Sequence, residues 1–395
     1  MLAAYSCVVP RQLHLLFAVQ SSSDKMNTMS KYQAIKMDEA GRPLVSAIMA
    51  VRNERHHIET AIESLQRQET AGWEIEIIIV DGNSNDGTDE IVKRIASSDS
   101  RVKLVINRHT KTPYAFNLGI QKARGEYVCI LGAHTTYAPD YIATCLEELK
   151  RQGAAGCSGR LITRPGGNGL QASLVAWTLA HPFGTSARSM RTRRPGFADT
   201  IPYPVFLKST LLDVGAYNTQ LHRNQDNDLN QRLRAHGHKL YITDKTTCEY
   251  FVSPDFATLA TYAFTAGYWN FLSLKVNPSS MSIRHFVPAV FVAVLLVSLM
   301  MLAVSISVAA PARLWLLAPA LLLCVIYGAA NIAIAFQVTL RERSLEALLM
   351  PFALFLLHVS YGFGTLSALM SNAATEPDEA LMERNTGFAD MANKP

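Results

Sequence analysis

The longest apolar segments of the chain lie in its last third. Three of them are long enough to cross a bilayer: residues 286–310, 314–338 and 345–370. Crossing the hydrocarbon core takes roughly 20 helical residues, and a soluble helix of such length would show a polar face. Only Glu346 and His358 interrupt the third segment, and the first two carry no charge. The pattern predicts three transmembrane helices over 286–370.

Before these segments, short apolar runs alternate with stretches of helical periodicity. Strands are predicted at 45–51, 75–81, 102–107 and 126–131, with helices between them. Such alternation indicates βαβ units and a mostly parallel sheet, hence an α/β fold. Ligands of these sheets bind beyond the carboxyl ends of the strands. The notable polar residues follow strand ends, so the ligand site is expected there.

The region after the fourth strand has a different pattern. The Gly- and Arg-rich stretches 164–171 and 189–200 are interpreted as loops, and a helical pattern returns over 208–217 and 226–244. The aromatic stretch 251–285 is interpreted as an amphipathic helix at the membrane surface. A core helix is an equally good interpretation of that composition.

The remaining boundaries follow from these elements. Pro10, Arg11 and His14 interrupt the apolar run near the start of the chain, so it is too broken to span a bilayer. Residues 1–42 are predicted to be a disordered leader, with a weak signal peptide as the alternative. One α/β domain is predicted over 43–250, and a polar tail over 371–395.

Basic residues near the apolar segments predict their orientation. Arg284 precedes the first segment, and Arg341 and Arg343 follow the second. Since basic loops stay in the cytoplasm, we expect a multi-pass protein of the cell inner membrane. The α/β domain would face the cytoplasm and the acidic tail would face outward.

Composition narrows the function classes. Charged residues make up 17% of the 395 residues and the net charge is +5. No basic stripe with interleaved aromatic residues occurs, so nucleic-acid binding is not expected. The six cysteines form no Cys-x-x-Cys pair, which argues against a disulfide framework or a zinc site.

Two acidic motifs could carry chemistry. In "VDGNSNDGTDE", Asp81 ends a strand and Asp86 can cap the next helix; the motif is neither a P-loop nor a dinucleotide fingerprint. In "RNQDNDLNQRL", Asp226 and Asp228 open a helical stretch. One of these two can be a helix cap or a general base for an acceptor hydroxyl.

A third motif follows the fourth strand. The turn Gly132, Ala133 and His134 stands where an acidic pair often holds a metal at such a strand end. From the residues alone it is a metal site with an unusual ligand, a dead site or a plain loop.

The series of motifs resembles the family 2 glycosyltransferases, which have the GT-A nucleotide-sugar-binding, Rossmann-like fold. The matching stretches are "VSAIMAVRNE", "EIIIVDGNSNDGT", "TPYAFNLGIQKARGEYVCILGAHT" and "RNQDNDLNQRL". Within the family, the "GAH" turn and "RNQD" are most similar to membrane-linked bacterial enzymes of the succinoglycan glucosyltransferase type.

The resemblance implies a role for each matching position. Donor-binding positions would be Val51, Asn53, Glu54, Asp81, Asp86, Asn117, Gly132 and Ala133. His134 would be the ligand of a divalent cation, Mn²⁺ or Mg²⁺, and imidazole suits Mn²⁺ better. Asp226 would be the catalytic base, supported by Gln225, Asp228 and Arg232.

The implied reaction moves a sugar from a nucleotide-diphosphate donor, a UDP-sugar most of all, to a polyprenyl-linked saccharide in exopolysaccharide biosynthesis. Inversion is expected because no second carboxylate is placed as a nucleophile. The absence of Gln-x-x-Arg-Trp after the Asp226 motif predicts nonprocessive transfer. Transfer directly to a polyprenyl phosphate, or a degenerate partner that binds a nucleotide sugar without catalysis, are the alternatives. The arginines at 188–194 are interpreted as a solvated loop, or as a loop that closes on a diphosphate.

Overall fold

A computed structural model describes residues 43–307 and 310–371. The predicted leader at 1–42 and the tail after 371 lie outside the described residues.

Nine strands form one mixed, mostly parallel sheet in the described part of the chain. They are β1 (Leu44–Val51), β2 (Glu74–Asp81), β3 (Val102–Ile106), β4 (Tyr127–Gly132), β5 (Thr135–Tyr137), β6 (Gly156–Pro165), β7 (Gly196–Phe197), β8 (Val205–Leu207) and β9 (Leu240–Val252). Their order is β3-β2-β1-β4-β8-β6-β9-β5, with β7 paired to β9. The first four strands are mutually parallel, and β8 runs antiparallel to β4 and β6.

The helices fall into two groups. Those of the α/β domain are α1 (Ile58–Gln66), α2 (Thr88–Ser98), α3 (Thr112–Lys122), α4 (Tyr141–Gln152), α5 (Leu170–Ala180), α6 (Pro182–Thr185), α7 (Lys208–Asp213) and α8 (Gln225–Ala235). Those that follow are α9 (Phe256–Val276), α10 (Val287–Ser305), α11 (Ala310–Glu342) and α12 (Met350–Met370). Short 3₁₀ turns lie at Pro278–Ser280, Ile283–Phe286 and Leu345–Leu349.

The predicted strands and helices up to residue 132 are confirmed within one or two residues. Strands β1 and β2 are apolar almost throughout because helices cover both faces of the sheet, as parallel sheets require. Met49 and Ile79 belong to the core under α1 and α2, and Ile48 and Ile78 to the core under α3.

The sheet register brings three strand ends side by side. Val51 at the end of β1 pairs with Asp81 at the end of β2, and Ala50 pairs with Gly132 at the end of β4. The loops that follow these strands therefore leave the same edge of the sheet together.

Two interpretations of the middle region are wrong. The stretch 226–244 is helical only to Ala235, because Gly237 adopts a left-handed φ of +84° and ends the helix. Its second half is the start of β9, whose β-branched and aromatic residues suit a strand. The stretch 164–171 contains the end of β6 and the start of α5 as well as a loop.

Helix α9 packs tightly along α12. A Cβ on Gly267 would overlap the carbonyl of Tyr361, and a Cβ on Gly364 would overlap that of Phe264. Small residues let helix backbones approach this closely. The stretch 251–285, for which the sequence predicts either an interfacial or a core helix, thus contains a helix with one face packed on α12.

Among the described residues, three helical segments are long and apolar enough to cross a membrane. They are Ile283–Ser305, Trp315–Glu342 and Leu345–Met370, with mean hydropathies of 2.8, 2.1 and 1.6. His358, which interrupts the third apolar segment, has a hydrogen-bond partner for each of its ring nitrogens. Its Nε2 lies 2.9 Å from the Phe183 carbonyl of α6, and its Nδ1 lies 2.9 Å from the Tyr327 hydroxyl of α11.

We expect Gly119→Val to destabilise the α/β domain by about 1–3 kcal/mol, because any Cβ there overlaps the Ile48 side chain in a close-packed core. Gln121→Val, at an exposed position of the same helix, is the matched control for the β-branched residue. Thermal unfolding of the purified full chain measures both. Equal midpoints for the two variants would contradict the packing argument.

Candidate functional site

The loops after β1 and β2 are joined by hydrogen bonds. The Asn53 N–H donates to Ser84 Oγ at 2.9 Å, and the Asn85 N–H donates to Asn53 Oδ1 at 3.0 Å. The Glu54 N–H donates to Thr88 Oγ1 at 2.8 Å. Asn53 itself has a φ of +57°, which suits asparagine. The two loops thus form one rigid rim beyond the sheet.

Asp86 accepts hydrogen bonds from the loop after β1 and from the first N–H of α2, whose N-cap residue is Gly87. Its carboxylate accepts from the Arg55 N–H at 3.0 Å and from the Thr88 N–H and Oγ1 at 3.0 and 2.6 Å. Partial burial opposes its ionisation, but these hydrogen bonds outweigh burial and hold the pKa of Asp86 below its usual value. The described contacts of Asp86 are structural, and donor binding by it stays a prediction.

Asp81 lies deeper in the same rim. It is 2% exposed, and its two carboxylate oxygens accept from Ser84 Oγ at 2.5 Å and the Ser84 N–H at 3.0 Å. Next to it, a cavity of about 500 Å³ opens between β3 and α3, and His109 stacks on Tyr114 in its wall with ring centres 4.4 Å apart. Asn117 also lines this cavity. A cavity of this size matches those that take small ligands.

The turn at the end of β4 has a tyrosine over its first residue. A Cβ on Gly132 would lie 2.8 Å from Cε1 of Tyr203, so an aspartate there would require Tyr203 to move. The Gly132 N–H donates to the Tyr137 hydroxyl at 2.8 Å, and Ala133 is buried. Gly132 therefore lies under an aromatic ring where the family motif has an acid.

His134 forms an ion pair with Glu54. Its Nε2 lies 2.9 Å from Glu54 Oε1, and its ring centre lies 4.6 Å from that of His57. Burial lowers the pKa of His134, but the Glu54 carboxylate outweighs burial, and the net pKa is raised. Burial first, and the nearby His134 second, lower the pKa of His57. The other Glu54 oxygen, Oε2, is buried and has no hydrogen-bond partner in the described chain.

Asp226 lies in the first turn of α8 and is half-buried. Its Oδ1 accepts from the Asn227 N–H at 2.8 Å. Burial raises the pKa of Asp226, although backbone hydrogen bonds oppose this. Beside it, Gln225 Oε1 is buried and has no partner among the described residues.

The supporting residues of this motif hold the helix in place. Asp228, 2% exposed, accepts from Arg232 Nε at 2.9 Å and Nη2 at 2.7 Å, and from Asn277 Nδ2 at 2.7 Å. Arg232 also donates to the carbonyls of Val214 and Ala216. The motif's second aspartate is therefore a structural anchor and not a free base.

The Asn117 side chain holds the backbone of Tyr217, which lies near Asp226. Its amide donates to the Tyr217 carbonyl at 2.8 Å and accepts from the Tyr217 N–H at 2.9 Å. Tyr217 is buried within electrostatic range of Asp226. The Asn117 side chain thus fixes a wall of the Asp226 environment, and direct donor binding by it stays a prediction.

Sequence reasoning missed several residues around the Gly132 turn. Tyr203 carries a weak signal, because the prolines on both sides of it in "IPYPV" mark a constrained backbone. His57 and Tyr250 carry none, since their contacts to the turn arise only through the fold.

The chain is similar in sequence to known proteins. Residues 46–208 match the profile of glycosyl transferase family 2. The succinoglycan biosynthesis protein ExoA of Rhizobium meliloti is 29% identical over 202 residues, which cover 50% of this chain and 60% of ExoA. The dolichyl N-acetyl-alpha-D-glucosaminyl phosphate 3-beta-D-2,3-diacetamido-2,3-dideoxy-beta-D-glucuronosyltransferase of Methanococcus voltae is 24% identical, over 81% of this chain and 95% of that protein.

A solved structure has the same fold. The mannosyltransferase PcManGT from Pyrobaculum calidifontis, in complex with GDP-Man and Mn²⁺, superposes with a TM-score of 0.52. The match covers 91% of this chain and 96% of that one at 17% identity. The sheet, the motif series and the profile match agree: residues 46–208 form a glycosyl transferase family 2 domain with a fold similar to that of PcManGT.

Proposed function

We propose that this protein is an inverting, nonprocessive glycosyltransferase that moves a sugar from a nucleotide-diphosphate donor to a lipid-linked saccharide. Exopolysaccharide biosynthesis is the proposed setting, by similarity to ExoA. The α/β domain would lie on the cytoplasmic side of the inner membrane, anchored by α10, α11 and α12.

The observation that carries the proposal is the state of Asp226. Each of the other four aspartates in the two acidic motifs is hydrogen-bonded to a side chain: Asp81 to Ser84, Asp86 to Thr88, Asp89 to Lys93 and Asp228 to Arg232. In the described chain, the Asp226 carboxylate has hydrogen bonds only from backbone N–H groups. A half-buried carboxylate with a raised pKa and no side-chain partner suits a general base.

The chemistry follows from this assignment. The acceptor hydroxyl attacks the anomeric carbon while Asp226 takes its proton, and the bond from that carbon to the diphosphate breaks with its electrons. Asp228, the next carboxylate along α8, is held by Arg232 and Asn277, so we expect one displacement with inversion and no glycosyl-enzyme intermediate. The cavity beside Asp81 has the volume for the donor's nucleoside.

Glu54 and His134 fit a divalent cation that phosphate oxygens and water would complete. No group of three or more His, Cys, Asp or Glu side chains within 43–307 and 310–371 is arranged to hold a metal. Two side-chain ligands are nevertheless enough where substrate phosphates supply others, and the unpartnered Glu54 Oε2 is available. A bound cation would offset the charge that develops on the leaving diphosphate. The Mn²⁺ in the PcManGT complex supports this choice.

A lipid-linked acceptor has separate support. The methanococcal relative, aligned over 95% of its length, is named for a dolichyl-phosphate-linked N-acetylglucosamine. That favours extension of a lipid-linked sugar over transfer to a bare polyprenyl phosphate. The three apolar helices that follow the domain would keep the site near the membrane.

One observation favours a second candidate function. The ring of Tyr203 takes the space of the acid at position 132, which would suit a partner that binds a nucleotide sugar without catalysing transfer. Donor binding by the wild-type protein with no turnover on any lipid-linked acceptor would support it.

Asp226→Asn is expected to lower the rate of sugar transfer 10²-fold or more and to leave donor binding unchanged. Its thermal stability should equal or exceed that of the wild type, because a buried charge is removed. Asp228→Asn, two residues along the helix, is the control: it should cost about 3 kcal/mol of stability, because Arg232 loses a buried partner. Turnover and thermal unfolding of both variants test the assignment. Wild-type turnover in Asp226→Asn would remove that residue from its role.

The acid limb of kcat/KM should lie at higher pH than an ordinary aspartate would give. The base must be ionised, and burial raises the pKa of Asp226. Because the folded-state pKa is raised, stability should increase as pH falls through it, and Asp226→Asn should lack that increase. His134→Gln removes the imidazole of the proposed cation site, so an acid limb that this variant retains does not come from His134. A limb in the ordinary aspartate range would contradict the assignment.

Glu54→Gln and His134→Ala are each expected to raise the Mn²⁺ concentration for half-maximal transfer by 10-fold or more. His57→Gln, which keeps both proposed ligands, is the control and should leave it nearly unchanged. Mn²⁺ binding followed by electron paramagnetic resonance in the presence of UDP gives a second readout. Unchanged metal dependence in His134→Ala would make His134 a loop residue only.

A further inference from the structure

Arg191 is stacked on a tyrosine at the edge of the site. Its guanidinium carbon lies 4.6 Å from the centre of the Tyr250 ring, and its Nη1 lies 3.4 Å from Thr163 Oγ1. The hydroxyl of Tyr262 on α9 is a further hydrogen-bond partner. The side chain is thus positioned by an aromatic face and two hydroxyls, which leaves its charge uncompensated.

Tyr250 links Arg191 to the Gly132 turn. Tyr250 in β9 pairs with Thr135, the residue after His134, and the next N–H, of Phe251, donates to the His134 carbonyl at 3.0 Å. The ring of Tyr203, which covers Gly132, has its centre 6.4 Å from that of Tyr250. Arg191 therefore stands beside the turn that carries the family's metal motif.

Arg223 is a second arginine near these tyrosines. It lies three residues before Asp226 and within electrostatic range of Tyr250 and Tyr262. Burial lowers the pKa of Arg223, so its charge is held at a cost in this environment. Arg191, which stacks on Tyr250, and Arg223, which is close in sequence to the proposed base, thus have Tyr250 and Tyr262 as common neighbours.

In the described chain, neither arginine has a carboxylate partner of the kind that Arg232 and Arg193 have. Arg232 pairs with Asp228 at 2.7 Å and Arg193 pairs with Asp199 at 3.3 Å. Among the described residues, no carboxylate lies within ion-pair distance of Arg191 or Arg223. An acid at position 132 would lie on this side of the turn, and Tyr203 takes its space.

We propose that Arg191 and Arg223 form a diphosphate-binding pair. The proposal rests on the proposed function and extends it, because that reaction has a diphosphate on the donor and can have another on the lipid carrier. Two planar guanidinium groups bind the oxygens of a diphosphate by forked hydrogen bonds, which ammonium groups do not form. With glycine at 132, these cations would do part of the work that the missing carboxylate and its metal do elsewhere.

Binding of inorganic pyrophosphate to the full chain in lipid nanodiscs tests the pair directly. Arg191→Gln and Arg223→Gln are each expected to weaken binding 10-fold or more, and Arg191→Lys should restore only part of it. Arg194→Gln, at an exposed position of the same loop, is the matched control and should bind like the wild type. Equal affinity in wild type and the Arg191→Gln, Arg223→Gln double variant, or no binding by the wild type, would overturn the proposal.

Two further ligands identify the source of the diphosphate. If it belongs to the donor, UDP binding weakens in the double variant and undecaprenyl diphosphate binding does not; the reverse result assigns it to the lipid. Each result supports the pair, and unchanged binding of both ligands contradicts it.

Failure of the pair and failure of the proposed function give different results. If the double variant transfers sugar with the wild-type kcat and KM, the pair is wrong and the function stands. If the wild type binds pyrophosphate through both arginines but transfers no sugar, the pair stands and the function is wrong. Thermal unfolding of each variant confirms that lost binding does not reflect lost folding.

Discussion

The parallel register of β1 between β2 and β4 is the constraint on which the candidate site depends. It sets Val51 beside Asp81 and Ala50 beside Gly132, so three loops leave the sheet at one edge. A slip of one residue would turn every side chain of β1 to the opposite face. Ile48 opposes such a slip, because it fits against Gly119 of α3, where no larger residue has room.

The exchange of an acid for glycine at position 132 changes the electrostatics of this edge. In place of a carboxylate, the turn has the ring of Tyr203 above Gly132 and the Glu54–His134 ion pair next to it. Glu54 follows β1 and not β4, so the nearest carboxylate comes from a neighbouring loop. The negative charge available for a cation thus comes from the loop after β1, and Arg191, which has no carboxylate partner among the described residues, stacks on Tyr250 next to the turn. A diphosphate placed there would meet both a carboxylate-imidazole pair and guanidinium groups.

The sequence predicted the parallel half of the sheet well and the rest poorly, for physical reasons. Strands β1, β2 and β4 are buried on both faces, so their apolar runs are nearly continuous and stand out from the helical periodicity around them. The first residues of β9 fall in the stretch that the sequence predicts to be helical, because Leu233 and Leu240 extend the apolar spacing of α8. Gly237 between them ends the helix. Asp228 and Arg232 have the i, i+4 spacing of a helix pair, but the bond from Asn277 to Asp228 forms only where α8 meets the end of α9 and could not be predicted.

The proposed base is also tied to the helices that could span the membrane. Asn224 has a left-handed φ and immediately precedes α8. Its side-chain amide donates to Asn270 Oδ1 at 2.7 Å and to Ser273 Oγ at 3.1 Å on α9. Asn270 in turn donates to the hydroxyl of Tyr361 on α12. Each of these polar groups is paired inside an otherwise apolar helix contact, where an unpaired group would be costly. The helix that carries Asp226 therefore cannot shift without breaking hydrogen bonds to α9. For a lipid-linked acceptor, the helices nearest the lipid would then also set where the attacking hydroxyl meets its base.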